Sequence, residues 1–310
     1  MAQHGSRKGP AAARKCLDYR FLHRGPAYAA ARHKSIADAL APAMAMPLCS
    51  AKHADRAPFN RHLTETFHAM TQPETEAGDA AKRFYERSHA ELSKRFGIDH
   101  SVEVAALAAG NHRYSAAYNY LRANPGQRVL EMGYGGNGII KSLAPLAERY
   151  AVVDIIDRLA GQPQPDNLTL HVANLDNRFP FEDASFDVVV AMMVIEHLYD
   201  PFHAFAELAR VAKPGAAVFV NLPNIGSIRC RLDLLRGRLP VTSTPDWFEQ
   251  REWDGGHLHY FTVASVERLA ALSGLKVVAV EAVGSMPWLK RLRPSLLCHE
   301  ITYRLEKAPS

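Results

Sequence analysis

The run RVLEMGYGGNGIIKSL, residues 128–143, joins a short apolar stretch to a helical one through Gly133, Gly135, Gly136 and Gly138. Glycine lets the chain turn sharply and lets a ligand approach the backbone with no Cβ in the way. Such a loop suits a dinucleotide or another nucleoside cofactor. Glu131, two residues before the first glycine, shifts the balance. Its carboxylate suits the ammonium of an amino-acid moiety, whereas a pyrophosphate at the helix N-terminus makes an extra carboxylate unwelcome. Asp154 closes the next apolar run 23 residues later, where a carboxylate can accept hydrogen bonds from both ribose hydroxyls; Asp157 is the reserve for that role. Glu196-His197 follows a third apolar run, and an imidazole beside a carboxylate is a general-base pair. His257 and His259, spaced i and i+2, are predicted to share one strand face and point at a second substrate.

The elements that must hold these residues alternate. Strand patterns at 128–132, 151–155, 168–172, 187–192 and 216–222 take turns with helical patterns at 138–148 and 201–211, which predicts βαβ units and a mostly parallel sheet covered on both faces. The strands are near-continuous apolar runs, as doubly buried strands are. A helix over 263–273, a sixth strand over 275–283 and a seventh, antiparallel strand over 301–307 complete the pattern. Upstream, helices are expected over 80–96, 102–109 and 114–123. The predicted fold class is α/β: a doubly wound, Rossmann-like, mostly parallel seven-stranded sheet with an N-terminal helical cap over 73–126 and a disordered basic leader over 1–72.

Charge supports that division. Residues 1–70 hold eleven Lys/Arg against four Asp/Glu, so the sequence pI near 9.0 belongs to the front of the chain. The remainder is slightly acidic, and a nucleic-acid function loses its main support. Met70 reads as a second natural start, with residues 1–69 outside the working protein. No apolar run approaches the ~18 residues of a membrane helix. The four cysteines are far apart with no C-x-x-C, which argues against structural zinc and a disulfide framework and for a cytoplasmic location.

Several motifs in register, VLEMGYGGNG, VVDI, FPFEDASFDVVVAMMVIEHLYDP and ELARVAKPGAAVFVNLPN, resemble the class I S-adenosylmethionine-dependent methyltransferases of the type 11/23 small-molecule group, over roughly residues 115–283. The resemblance implies S-adenosyl-L-methionine as cofactor, held by Glu131, Gly133, Gly135, Gly138 and Asp154. It implies adenine contact by Asn174, in place of the family's usual Asp, with the Leu175 backbone N–H facing the ring and Met192 packed nearby. Glu-His at 196–197 also recurs in the family as loop support, so His197 has two readings. Ubiquinone-type O-methyltransferases carry a metal-binding carboxylate three residues before this Glu; here Met193 stands there, and no metal is expected.

The stretch 224–256 is an insertion before the pattern resumes, and it reads as a lid over the acceptor. Within it RCRLDLLRGRLP is basic and amphipathic, so Arg229, Arg231, Arg236 and Arg238 either meet an anionic acceptor or form a solvated face. The resulting expectation is an enzyme methylating a small molecule, glycan or lipid-type acceptor at oxygen, with His197, His257 and His259 as catalytic candidates. Two competitors stand beside it: a non-catalytic binding protein of the same fold, and a nicotinamide-dependent oxidoreductase, which Glu131 and the lack of a Tyr-x-x-x-Lys pattern disfavour.

Overall fold

A computed structural model describes Arg83 and residues 104–135, 138–161, 163–243, 253–284 and 286–308. The chain separates into two compact units, Met1–Arg56 and Ala57–Ser310, and every described residue lies in the second. The expected leader and, apart from the helical Arg83, the helix over 80–96 lie outside the described residues.

Two helices, α1 (Val104–Ala108) and α2 (Ser115–Ala123), lead into β1 (Arg128–Met132). After the glycine loop come α3 (Ile140–Leu143), β2 (Arg149–Asp154), β3 (Leu168–Val172) and β4 (Phe186–Met192). Next are α4 (Pro201–Val211), β5 (Ala212–Pro223), α5 (Ile228–Leu235), α6 (Val263–Leu272) and β6 (Leu275–Ala282). Two single-turn helices, α7 (Pro287–Lys290) and α8 (Pro294–Leu297), precede β7 (Glu300–Lys307). One seven-stranded sheet results, in the order β3-β2-β1-β4-β5-β7-β6. Strands β1 to β5 pair in parallel, and β7 runs antiparallel to both neighbours. Among the described residues no helix is long and apolar enough to cross a membrane.

Alternation along the strands builds a core on each face. Val129, Val152, Val188, Val190 and Phe219 face α1, α2 and α3, against Leu107, Tyr118 and Leu121. Leu130, Met132, Val153, Val189 and Val218 face the other way, against Phe205 and Leu208 of α4 and Val266 and Leu269 of α6. Local chemistry starts these helices: Asp200 accepts from the backbone N–H of Phe202 and His203 with Pro201 at the first turn, and Thr262 forms a reciprocal cap with Ser265. The block FPFEDASFD is fastened to α4 by buried Glu207, which accepts from Phe179 N at 2.7 Å and from Arg210 Nη2 at 2.6 Å, while Arg210 also donates to the Phe179 and Phe181 carbonyls.

Two expectations need correction. The helix predicted over 138–148 shortens to α3 and a 3₁₀ turn, Ala144–Leu146, because Pro145 has no N–H to donate to the preceding turn. Residues 257–260 form no strand, so His257 and His259 do not share a strand face; the backbone N–H groups of Leu258 and His259 instead both turn to the Glu196 carbonyl, at 2.8 and 3.2 Å.

Gly133 has φ of +67°, and a Cβ there would lie 2.3 Å from Val194 Cγ2. Gly126 has a similar φ of +76° with nothing within 4 Å. Gly133→Ala is expected to cost on the order of 3 kcal/mol, conformational strain plus overpacking, and Gly126→Ala about 1 kcal/mol from strain alone. Urea unfolding of both variants checks the difference.

Candidate active site

The polar residues gather at the C-terminal ends of β1, β2, β4 and β5, where an open parallel sheet binds ligands. Glu131 is fully buried, and each carboxylate oxygen accepts from a tyrosine hydroxyl: Oε1 from Tyr114 at 2.6 Å and Oε2 from Tyr150 at 2.7 Å. Burial raises its pKa while the two hydroxyls pull the other way. The next turn is drawn back onto β2, since Gly133 N donates to the Val153 carbonyl at 2.9 Å. Asp154, buried at the end of β2, accepts from Gly135 N on one oxygen and from Ile156 N on the other, both at 3.2 Å. Burial raises its pKa against those bonds. Gly138 sits just before α3, where its carbonyl accepts from Lys141 N. Buried Asn174 follows β3, its Oδ1 accepting from Asp176 N at 3.0 Å. Leu175 and Met192 are buried, the first in the α4 face and the second in the α2 face of the sheet. All eight expected cofactor residues therefore lie in or beside the first four strands and their loops.

Beyond β4 the chain makes a strained turn, with Met193 at φ of +56°, and then a 3₁₀ turn, Ile195–His197. This turn is stitched to the end of the insertion. The Glu196 carbonyl takes two backbone hydrogen bonds from residues 258 and 259, His197 Nδ1 lies 3.1 Å from the Gly256 carbonyl, and His259 Nε2 lies 3.1 Å from the Tyr199 carbonyl. A carbonyl only accepts, so Nδ1 of His197 carries its proton. The His197 and His257 rings meet edge to face at 4.8 Å. The structure thus brings His197 and His257 together, while His259 lies apart on Tyr199.

Asp254 anchors the insertion. Its carboxylate accepts from the backbone N–H and the hydroxyl of both Thr242 and Ser243, the shortest contact being Thr242 Oγ1 at 2.6 Å. These bonds hold its pKa down against burial. Because the Thr242 hydroxyl spends its hydrogen on Asp254, its oxygen accepts from His257 Nδ1–H at 2.8 Å. His257 Nε2 then faces Glu196 Oε1 at 4.0 Å. The sequence reading missed Thr242, Asp254 and the two tyrosines on Glu131. Only Tyr150 had a signal: it pairs with Val129 in register, two positions before Glu131 on the same face.

Glu196, His197 and His257 offer ligand atoms within 4.8 Å of one another, a set that fits a divalent transition metal. The expectation of no metal rested on the cysteine spacing and on Met193, and did not foresee His257 joining the pair. A cavity of about 620 Å³, lined by Arg113, Tyr120, Phe219, Thr302 and Arg304 among others, lies on the α2 side of β5 and β7, and neither histidine lines it.

The methyltransferase-domain family matches residues 99–280, and the chain belongs to that family; its class is that of the class I S-adenosylmethionine-dependent methyltransferases, whose cofactor is S-adenosyl-L-methionine. A ubiquinone biosynthesis O-methyltransferase of Hahella chejuensis is 34% identical over 108 residues, which are 33% of this chain and 45% of that protein. One of Xanthomonas oryzae pv. oryzae is 30% identical over 179 residues, 55% of this chain and 71% of that one. The chain thus spans under half of the first relative and about seven-tenths of the second. Among solved structures, the 1,6-didemethyltoxoflavin-N1-methyltransferase of Burkholderia thailandensis, with bound S-adenosylhomocysteine, is similar at 14% identity and a TM-score of 0.48, covering 76% of this chain and 92% of that one.

Both Glu196 oxygens are buried with no hydrogen-bond partner, and burial pushes the carboxyl pKa from 4.5 up to about 8. Burial, with His197 adding to it, pushes His257 from 6.5 down to about 4. In chelator-treated protein the folded state therefore holds the Glu196 proton between pH 4.5 and about 8, and stability falls as pH rises through that window, by up to about 1.4 kcal/mol per pH unit. His257 acts the opposite way, adding stability as pH rises from about 4 to 6.5. Above 6.5 the Glu196 slope stands without it. Glu196→Gln is expected to remove that slope, read from urea midpoints between pH 6.5 and 8; curves parallel to the parent's would overturn the assignment.

Proposed function

We propose that the chain transfers the methyl group of S-adenosyl-L-methionine to an oxygen of a small-molecule acceptor, a class that includes glycan and lipid hydroxyls. The carrying observation is the buried cluster of Glu196, His197 and His257 at the end of β4, beside the glycine loop. A sulfonium methyl is already activated, so the protein must align acceptor, methyl and sulfur and exclude water. A hydroxyl acceptor also has a proton to lose. In this reading the oxygen–methyl bond forms as the sulfur–methyl bond breaks, the proton passes to an imidazole, and S-adenosylhomocysteine leaves.

The two histidines divide the work. Burial lowers both imidazole pKa values, which keeps them neutral and able to accept a proton at neutral pH. His197, the less enclosed, meets the acceptor, and His257 orients it from behind. Glu131 places negative charge beneath the glycine loop, toward the cofactor ammonium. Asp154 receives the ribose hydroxyls; Asn174 and the Leu175 N–H meet the adenine. The names of the Hahella and Xanthomonas relatives support oxygen as the target, and a reducing cytoplasm remains the proposed compartment.

Calorimetry is expected to show binding of S-adenosyl-L-methionine and none of NAD, and Asp154→Ala is expected to weaken cofactor binding on the order of tenfold or more through two lost hydrogen bonds. Absence of cofactor binding by the unaltered chain would end the reading. Labelled S-adenosyl-L-methionine incubated with a cell extract identifies the acceptor. With that acceptor, His197→Ala should lower kcat on the order of a hundredfold. Unchanged turnover would remove the base assignment, and loss of activity on chelation would transfer the cluster's role to a metal.

A further inference from the structure

Two segments that methyl transfer leaves unused project from the same edge of the sheet. α5 follows the C-terminal end of β5, and residues 286–293 follow that of β6; the start of β7 pairs with both ends, Glu300 with Pro223 and Ile301 with Ala282. Side chains tie Asn224 and the start of α5 to residues 295–299, which follow the second segment. Arg229 Nη1 lies 2.8 Å from His299 Nε2, and Asn224 Nδ2 donates to the Ser295 and Cys298 carbonyls at 3.0 and 2.9 Å.

A helix on a soluble domain ordinarily turns its leucines inward. α5 buries only Cys230. Leu235 is 83% exposed and Leu234 57%, while in the second segment Leu292 is 71% and Trp288 68% exposed. Single exposed apolar residues are ordinary, but several large ones on adjoining segments mark a binding surface. α5 with the turn after it and residues 286–293 also carry Arg229, Arg231, Arg236, Arg238, Lys290, Arg291 and Arg293, with Asp233 the one acid in either stretch. Among the described residues none of the seven cations is paired with a carboxylate; Arg231 and Lys290 donate to backbone carbonyls.

Charge complementarity selects the occupant. Exposed Leu and Trp on segments whose arginines have no carboxylate partner among the described residues match an anionic bilayer surface, whose phosphates take the cations while the apolar tips enter the headgroup layer. A polyanion such as RNA would use the cations and leave the leucines in water. We propose that this edge docks the protein on an anionic lipid surface, with Leu234, Leu235, Trp288 and Leu292 inserted. The docked edge is also the one that carries Glu196 and His197, so that end of the sheet is turned toward the bilayer.

Flotation of the full chain with vesicles of phosphatidylcholine, and of equal parts phosphatidylcholine and phosphatidylglycerol, tests this. Binding is expected to the second only, and to weaken with added salt. The basic segment 1–70 is present in every sample, so point variants decide. The double variant Leu235→Glu, Trp288→Glu and the double variant Arg236→Glu, Arg238→Glu are each expected to lower vesicle affinity on the order of tenfold or more. Both should leave the affinity for S-adenosyl-L-methionine and the urea midpoint unchanged. No flotation by the unaltered chain overturns the proposal. So does vesicle binding that the Leu235/Trp288 variant retains in full, and so does competition by RNA that only the arginine variant relieves.

Discussion

A parallel sheet buried on both faces leaves polar chemistry one outlet, the line of loops at the C-terminal ends of its strands. The candidate site, among the described residues, answers to that constraint. Glu131, Asp154 and Glu196 lie on or just past those ends with little or no access to water, and an unpaired charge in that setting is costly. Three solutions are used side by side. Glu131 takes a tyrosine hydroxyl on each oxygen, Asp154 takes backbone N–H groups from the glycine loop and its own turn, and Glu196 takes no hydrogen bond and holds its proton up to about pH 8. Three carboxyl groups of the same chemistry thus sit in three different environments.

The loops themselves are locked to one another. Gly133 leaves room for Val194, so the first loop and the loop after β4 touch where any larger residue would force them apart. Glu196 and His197 are then tied through the backbone to residues 256–259. The glycine loop, the loop after β4 and residues 256–259 form one continuous layer.

Much of this was legible in the sequence because it rests on burial. β1, β3 and α4 have the residue limits that their apolar runs and the Asp200-Pro201 start signal predict, and β2, β4 and β6 differ by one to two residues at an end. The antiparallel β7 was readable for the same reason. What escaped was set by contacts between distant residues. Tyr114 reaches Glu131 across 17 positions and Thr242 reaches Asp254 across 12, and nothing local to either marks a partner. The i, i+2 spacing of His257 and His259 suggested a strand, but two N–H groups claimed by one carbonyl at Glu196 bend that segment instead. The helix after the glycine loop was overextended because an apolar period continues through Pro145, which ends it.

Asp254 closes the insertion at its base. One carboxylate gathers two residues from the outgoing arm and stands two residues before Gly256, whose carbonyl meets His197. One carboxylate thereby seats two rings through intermediaries, His257 by way of the Thr242 hydroxyl and His197 by way of the Gly256 carbonyl.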